Sequence, residues 1–540
     1  MSRRSRKKIS RLTGSASSPL SARLESWIGS NRRPVTIVSL ILNLLLCLAL
    51  FEPKLHTGGD NASYIILAGS ILTAGDGYSH HISPGPPEPL TLYPFGYPLM
   101  LAPLVALFGP NVLVLKGFSI LFSLGVVLLF SLLARRLIPP LPWAALTVAV
   151  AVNPVVVEYS HWILSEIAFL FFSILTLYLM VRAEEDKHRR FGPYFCAGIL
   201  ILAFTVHIRT IGISFAIAGF AYLAFRRSWR RLAFFTLAMA LLLAPWMIRN
   251  KIVSKQGRSY GQWLLLKNPY SPEEGSIKFY ELSGRALKNL KIYSLGEMSR
   301  VVLGPVVLSV RGTVTAAVAG IFSLLVVLGL VRNLLRGFRL LEMYVIVYLG
   351  VVLIWPEVWS DVRFIMAIVP FFMLYMADGV AFAAGWRSAK LFHAGVAQAV
   401  ALSLVALLGL GVQLWLVPGN LNMIGRCLRG DRYAGYHPAW RNLFQAGDWI
   451  RENTPEESVI TVRKPHLFYL HTRRRVEDYP FTTDTDSVLT RITATDYVVV
   501  DAVSGTTYRY LIPAIQKVPE RFKLVYRLDK PFTGVLEVIK

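Results

Sequence analysis

Charge is scarce in this 540-residue chain, and cysteine scarcer. Asp, Glu, Lys and Arg make up 16% of it while 54% is hydrophobic, whereas a water-facing surface draws on about 25% charged residues. That balance excludes an ordinary soluble protein and places the chain in a bilayer. The three cysteines, Cys47, Cys196 and Cys427, lie too far apart for a CxxC redox pair, a zinc knuckle or a disulfide framework. A GxGxxG or GxxxxGK[ST] phosphate loop is missing, and no internal repeat is evident. No small-x-small cleavage site follows Leu50, and Leu46 occupies the position before Cys47 where a lipobox needs a small residue. The first apolar segment therefore reads as an uncleaved anchor.

What is present is a series of apolar runs. A membrane helix needs roughly 17 to 25 mostly apolar residues to cross about 30 Å of hydrocarbon. About eleven candidate spans run from Val35–Phe51 to His393–Val417. Several are short, among them Tyr194–His207, Ile211–Phe225 and Leu341–Ile354. The net charge of +25 and pI near 10.0 invite a nucleic-acid reading, but the basic residues are not gathered on one surface. The tail before Pro34 and alternate turns carry 24 Lys and Arg against five acidic residues. That bias is a topology signal, placing the N-terminus inside and, with an odd number of spans, the C-terminus outside. Nucleic acid is not an expected partner. Tryptophans at span ends, such as Trp143, Trp246 and Trp415, fit an interfacial belt.

The expected organisation is a basic cytoplasmic tail over 1–34, a transmembrane domain over 35–418 and an exterior domain over 419–540. Within the transmembrane domain, exterior loops cover 52–110 and 250–311. The C-terminal region changes texture: strand-like runs SVITV, DYVVVD, KLVYRL and GVLEVI alternate with helix-like stretches such as HPAWRNLFQAGDWIREN, which predicts a small α/β domain. The fold class is thus mainly α, polytopic transmembrane helical, N-in and C-out. Exterior chemistry has no nucleotide-sugar or ATP pool to draw on, so its energy comes from a gradient or an activated lipid.

In the first loop the order GGDNASYIILAGSILTAGDGY, PGPPEP, LYPFGYPLMLAPLVALFGP predicts two amphipathic helices lying at the interface. Asp60 follows Gly58 and Gly59 where a helix should begin, and position alone makes it an N-cap worth about 1 kcal/mol. Tyr64, four residues on, shares its face. His56, His80 and His81 lack metal-site spacing.

A long loop opening with D-x-x-x-Y-x-x-x-A, then G-x-G-Y and PFGYPLML, resembles the GT-C glycosyltransferases. The similarity is to the branch of protein O-mannosyltransferases and aminoarabinose transferases, which take sugar from a polyprenyl-phosphate carrier. LSEIAF at 164–169, HIRTIG at 207–212, PWMIRN at 245–250, VRFIMAIVPFF at 362–372 and WIRENTPEESVITVRKPHLFYLHTRR in the tail domain extend it over nearly the whole chain. The resemblance implies a GT-C-like membrane fold in a bacterial or archaeal plasma membrane, with its active site facing the exterior. It also implies that an acidic residue of the first loop is the catalytic base or orients the acceptor, a role that falls on Asp60. Some relatives carry two adjacent acids there. Here the second position is Asn61, so a paired-carboxylate or divalent-metal mechanism is not expected and no cofactor is required.

The implied donor is a polyprenyl-phosphate-linked sugar; the acceptor is left open among lipid, glycan and protein. Such a donor has a good leaving group, so the chemistry needs a base for the acceptor's proton and cations for the departing phosphate, with inversion at the anomeric carbon. Arg209, Arg249 and Arg363, near the outer ends of apolar spans, are candidates for the phosphate; snorkelling to headgroups or pairing with Glu166, Glu357 or Asp361 is the structural alternative. Glu166 binds a sugar hydroxyl or supports Asp60, unless it only complements a helix N-terminus. Tyr64, Tyr93 and Tyr97 offer hydrogen bonds, sugar stacking or interfacial anchoring. Lys464 approaches an anionic donor or belongs to a solvated basic face. The alternative function is a polytopic transporter or lipid flippase for envelope glycolipids, which calls for charged or broken helices at mid-bilayer.

Overall fold

The computed structural model describes residues 19–73, 77–186, 191–253, 260–305, 312–387 and 394–540. Most of the basic tail, the basic turn at 187–190, parts of the second loop and the turn at 388–393 lie outside the described residues.

The chain is mainly α. Among the described residues, seven helices are long and apolar enough to cross a membrane: Arg32–Ala49, Val112–Ala134, Ser165–Glu185, Trp229–Val253, Gly312–Arg336, Val362–Ala384 and Ala394–Leu428. Pro140–Ala151 and Pro154–Ser160, bent by 43° at a short break, together make an eighth. Asn153 sits at that break, where its side chain accepts from the amides of Val155 and Val156 and donates to the Val301 carbonyl, so the polar groups freed by the bend are satisfied. The other three expected spans coincide with shorter apolar helices, Pro193–Ile208, Thr210–Phe225 and Leu340–Leu353. At 1.5 Å per residue these measure about 21 to 24 Å, less than the hydrocarbon thickness.

The first loop departs from expectation. Its helix Asp60–Leu72 is not amphipathic at an interface, because Asn61, Ala62, Ser63, Tyr64, Ile65, Leu67, Ala68 and Ser70 are all buried. The loop's second helix, Gly96–Phe108, packs beside it, and the tail domain covers another side. Gly96 is the point of closest approach, since a Cβ there would stand 2.6 Å from the His207 carbonyl oxygen. The glycine of PFGYPLML thus lets this helix start against the chain just before Arg209.

The tail domain is the predicted α/β unit. The helix that begins at Ala394 runs on to Leu428, and the sheet-bearing part follows from Pro438. After two short strands in the first loop, β1 (Ser79–His80) and β2 (Glu88–Pro89), the domain holds β3 (Val459–Thr461), β4 (Arg475–Glu477), β5 (Tyr497–Val500), β6 (Phe522–Leu528) and β7 (Thr533–Val538). Their order is β4-β3-β5-β7-β6, with β3 parallel to β4 and β5, and β7 antiparallel to β5 and β6. Helix Pro438–Asn453 buries Leu443, Ala446 and Ile450 against one face. Ile82 of the first loop is buried in that same core, and its carbonyl accepts from the Val476 amide at 2.8 Å.

The second loop also docks on this domain: the Tyr510 hydroxyl donates to the Tyr270 carbonyl at 3.0 Å and Arg509 to the Ser271 hydroxyl at 2.9 Å. The three segments expected outside the membrane therefore meet at one end of the helical bundle.

Candidate active site

Asp60 is the first residue of its helix, but it is not the N-cap. Gly59 holds that position with φ 97°, in the region that disfavours side chains, and no side chain caps the helix. The Asp60 carboxylate instead accepts from the Tyr93 hydroxyl at 2.9 Å and pairs with the Arg363 guanidinium at 2.7 Å. Burial alone would raise this carboxyl; Arg363, through its charge and hydrogen bond, and the Tyr93 hydroxyl outweigh that and hold it below the ordinary carboxylate range.

Arg363 is fixed from the backbone outward. It lies in the first turn of helix Val362–Ile365, where Asp361 caps its amide at 2.9 Å and Glu297 accepts from the Val362 amide at 2.9 Å. Its side chain spans Asp60 and Glu166, not Glu357 or Asp361. Glu166, in the first turn of Ser165–Glu185, has a side chain only 3% exposed and pairs with both Arg363 and Arg209. Arg209 lies in an extended residue between two short apolar helices and donates to the Ser165 hydroxyl at 3.2 Å. Ser165 and the Tyr64 hydroxyl are 3.1 Å apart. Tyr93, Asp60, Arg363, Glu166, Arg209, Ser165 and Tyr64 thus form one continuous polar chain drawn from five segments.

Tyr97 is wholly buried, with its ring edge-on to Tyr64 at 5.0 Å. Lys464 reaches in from the tail domain, its ammonium 3.4 Å from the Gly58 carbonyl oxygen. Burial, with Arg463 beside it, lowers the Lys464 ammonium, while Asp60, Asp478 and Asp501 act in the opposite direction. Arg249 stands apart from this group: it donates to the Leu90 and Tyr78 carbonyls and lies over the Trp246 ring, fastening the middle of the first loop beside its two short strands. Asn61 is likewise committed elsewhere, donating to the His56 carbonyl at 2.7 Å. Among the described residues no group of three or more His, Cys, Asp or Glu converges as a metal site.

Two neighbours were not singled out from sequence. Ser165 bridges Tyr64 and Arg209, and its only signal is its place beside Glu166 in LSEIAF. Tyr260 opens the short helix Tyr260–Leu265; burial raises its phenol to about 12, and the charges of Arg209, Asp60, Arg363 and Glu166 all act on it. His466 of the tail domain and His80 of the first loop share a 3.0 Å hydrogen bond at the edge of the site. Burial pulls the His466 imidazole down to about 4, so the pair is neutral near pH 7.

Asp60 and Glu166 supply two negative charges and Arg209, Arg363 and Lys464 three positive ones, an excess that suits a monoanionic ligand. The Asp60 carboxylate, ionised at neutral pH, can take a proton, while the Arg363 guanidinium beside it and Arg209, held next to Arg363 by Glu166, can receive phosphate oxygens. Removing the Tyr93 hydroxyl should tune the first of these. Tyr93→Phe is expected to move the acid limb of the pH–rate profile upward, because the Asp60 carboxylate loses a donor that favours its charged form. A profile of kcat/KM from pH 4 to 8 reads the shift.

No protein-family model and no curated protein matches the chain. Solved structures do. One is the archaeal oligosaccharyltransferase AglB from Archaeoglobus fulgidus, in complex with an inhibitory peptide and a dolichol-phosphate. It superposes with a TM-score of 0.54 at 14% identity, covering 88% of this chain and 69% of that one. Another is ArnT from Cupriavidus metallidurans bound to undecaprenyl phosphate, with a TM-score of 0.53 at 14% identity, covering 93% of this chain and 97% of that one. Both superpose over most of this chain, so the polytopic helical fold with a small C-terminal sheet domain expected from the sequence is the fold present.

Proposed function

We propose that this is an integral membrane, inverting glycosyltransferase that moves a sugar from a polyprenyl-phosphate carrier to a lipid, glycan or protein acceptor on the exterior face. The observation that carries the reading is the shared guanidinium: Arg363 pairs at once with Asp60 and with the buried Glu166, which also holds Arg209. Solved neighbours of the same fold bind dolichol-phosphate and undecaprenyl phosphate.

The donor phosphodiester competes with Asp60 for Arg363. As the guanidinium turns to the phosphate, the carboxylate is released from its strongest partner and becomes the better base. An acceptor hydroxyl then attacks the anomeric carbon from the face opposite the phosphate, its proton passing to Asp60. The bond between the anomeric carbon and the phosphate oxygen breaks, and Arg363 and Arg209 receive the added charge on polyprenyl phosphate. Glu166 keeps the two guanidiniums together without reacting. Tyr64 stands at the end of the polar chain, braced from behind by the buried Tyr97, and Lys464 brings a further cation to the donor. Arg249, saturated by carbonyls, supports the loop that carries Tyr93.

The test is a vesicle assay with purified protein, a synthetic polyprenyl-phosphate sugar and a fraction of cell-envelope acceptors. The expected result is donor-dependent release of polyprenyl phosphate with the sugar transferred in inverted configuration. Movement of the intact glycolipid between leaflets without cleavage would replace this reading with that of a flippase.

A further inference from the structure

Helix Leu282–Ile292 of the second loop is built inside out. Its buried residues are polar: Arg285 donates to the Leu264 and Leu266 carbonyls at 2.7 and 2.6 Å, and Asn289 to those of Leu353 and Trp355 at 2.8 and 2.7 Å. Its outward face sets Leu287, 67% exposed, and Leu290, 49% exposed, among the exposed Ser283, Gly284, Lys288 and Lys291, and is preceded by Phe279 at 90% and Tyr280 at 71%. Leu287, Leu290 and Lys291 share one stripe at helical spacing, with the exposed Lys288 to one side and Tyr280 in the turn before the helix. A water-facing helix has the opposite arrangement.

The place where this helix sits explains the inversion. Leu353 and Trp355 mark the end of Leu340–Leu353, a 14-residue apolar helix. That helix measures about 21 Å against about 30 Å of hydrocarbon, a shortfall of about 9 Å, close to the roughly 10 Å diameter of a helix laid over its end. Asn289 takes up the Leu353 carbonyl, the last of the short helix, and that of Trp355 two residues beyond, polar groups that need partners where a helix ends near hydrocarbon.

We infer that Leu282–Ile292, with Phe279 and Tyr280, is an interfacial lipid-binding element. It lies in the outer part of the hydrocarbon layer, takes acyl chains against Phe279, Tyr280, Leu287 and Leu290, and sets the exposed Lys291 at the lipid phosphates, while Lys288 pairs with Glu357 at 3.3 Å. It completes the depth that the short helix does not reach. The inference is independent of the catalytic reading.

The test is spin-label accessibility in the full chain, reconstituted in phosphatidylethanolamine and phosphatidylglycerol vesicles. Cys196 and Cys427 are first replaced by serine; Cys47 is buried and does not label. Nitroxides are placed by Leu287→Cys and Leu290→Cys, and by Lys523→Cys in the tail domain, whose side chain is 67% exposed. Since 287 and 290 already point outward, labelling leaves the packing intact. The expected result is that both lipid-facing labels collide readily with oxygen and several-fold less with a water-soluble nickel chelate than the label at 523. Nickel accessibility at 287 and 290 equal to that at 523 overturns the inference.

Discussion

Asp60→Asn is expected to lower the rate of sugar transfer by about a hundredfold or more, the usual loss when a general base is removed. Asparagine keeps the size of the side chain and still accepts from Tyr93, but it cannot hold the acceptor's proton. The donor's KM should not rise with it. In the free protein Asp60 claims one side of the Arg363 guanidinium at 2.7 Å, and without that claim the guanidinium is freer for phosphate. A fall in kcat with an unchanged or lower KM separates loss of the base from loss of binding. Stability should change little, because the Asp60 side chain is 26% exposed and a partly solvated ion pair contributes modestly. Full turnover by the asparagine variant removes Asp60 from the chemistry and leaves the fold standing.

The residues of this site stand far apart in the chain, yet most of them carried a signal readable without coordinates. Asp60, Glu166, Arg209 and Arg363 are ionisable groups at the edges of apolar segments, where an unpartnered charge is costly and usually has a purpose. Arg249 gave the same signal and proved to serve backbone carbonyls. A sequence does not distinguish a guanidinium bound to carboxylates from one bound to peptide oxygens, because both satisfy the same five donors. Ser165 and Tyr260 gave no signal of their own, since a serine at a helix start and a tyrosine near an interface have ordinary reasons to be there. The bundle was legible through apolar run length, with the shortest runs falling on the three shorter apolar helices. Leu340–Leu353 is too short alone and is completed by a loop helix whose polar residues face inward, a pairing that no local pattern records. The sheet of the tail domain followed from its alternating runs, but its docking through Ile82 depends on tertiary contact between segments nearly 400 residues apart.

Glu166→Gln tests the other half of the site and should show the opposite profile. Its carboxylate is nearly sealed and is the shared partner of Arg209 and Arg363. Removing that charge leaves two guanidiniums facing each other with little water to screen them. Breaking a buried pair by deleting one partner costs about 3–5 kcal/mol, so thermal unfolding of the detergent-purified variant should begin well below that of the parent, whereas Asp60→Asn should unfold close to it. Donor binding should also weaken, because two mutually repelling cations no longer hold one geometry around a phosphate. Adding Arg209→Gln to Glu166→Gln removes the repulsion and should recover part of the lost stability, giving a coupling between the two sites that single substitutions do not show. Recovery of stability without recovery of transfer would place Arg209 at the donor phosphate. Strictly additive losses would instead mean that Glu166 and Arg209 act separately, and the account of Glu166 as the carboxylate shared by two guanidiniums would fall.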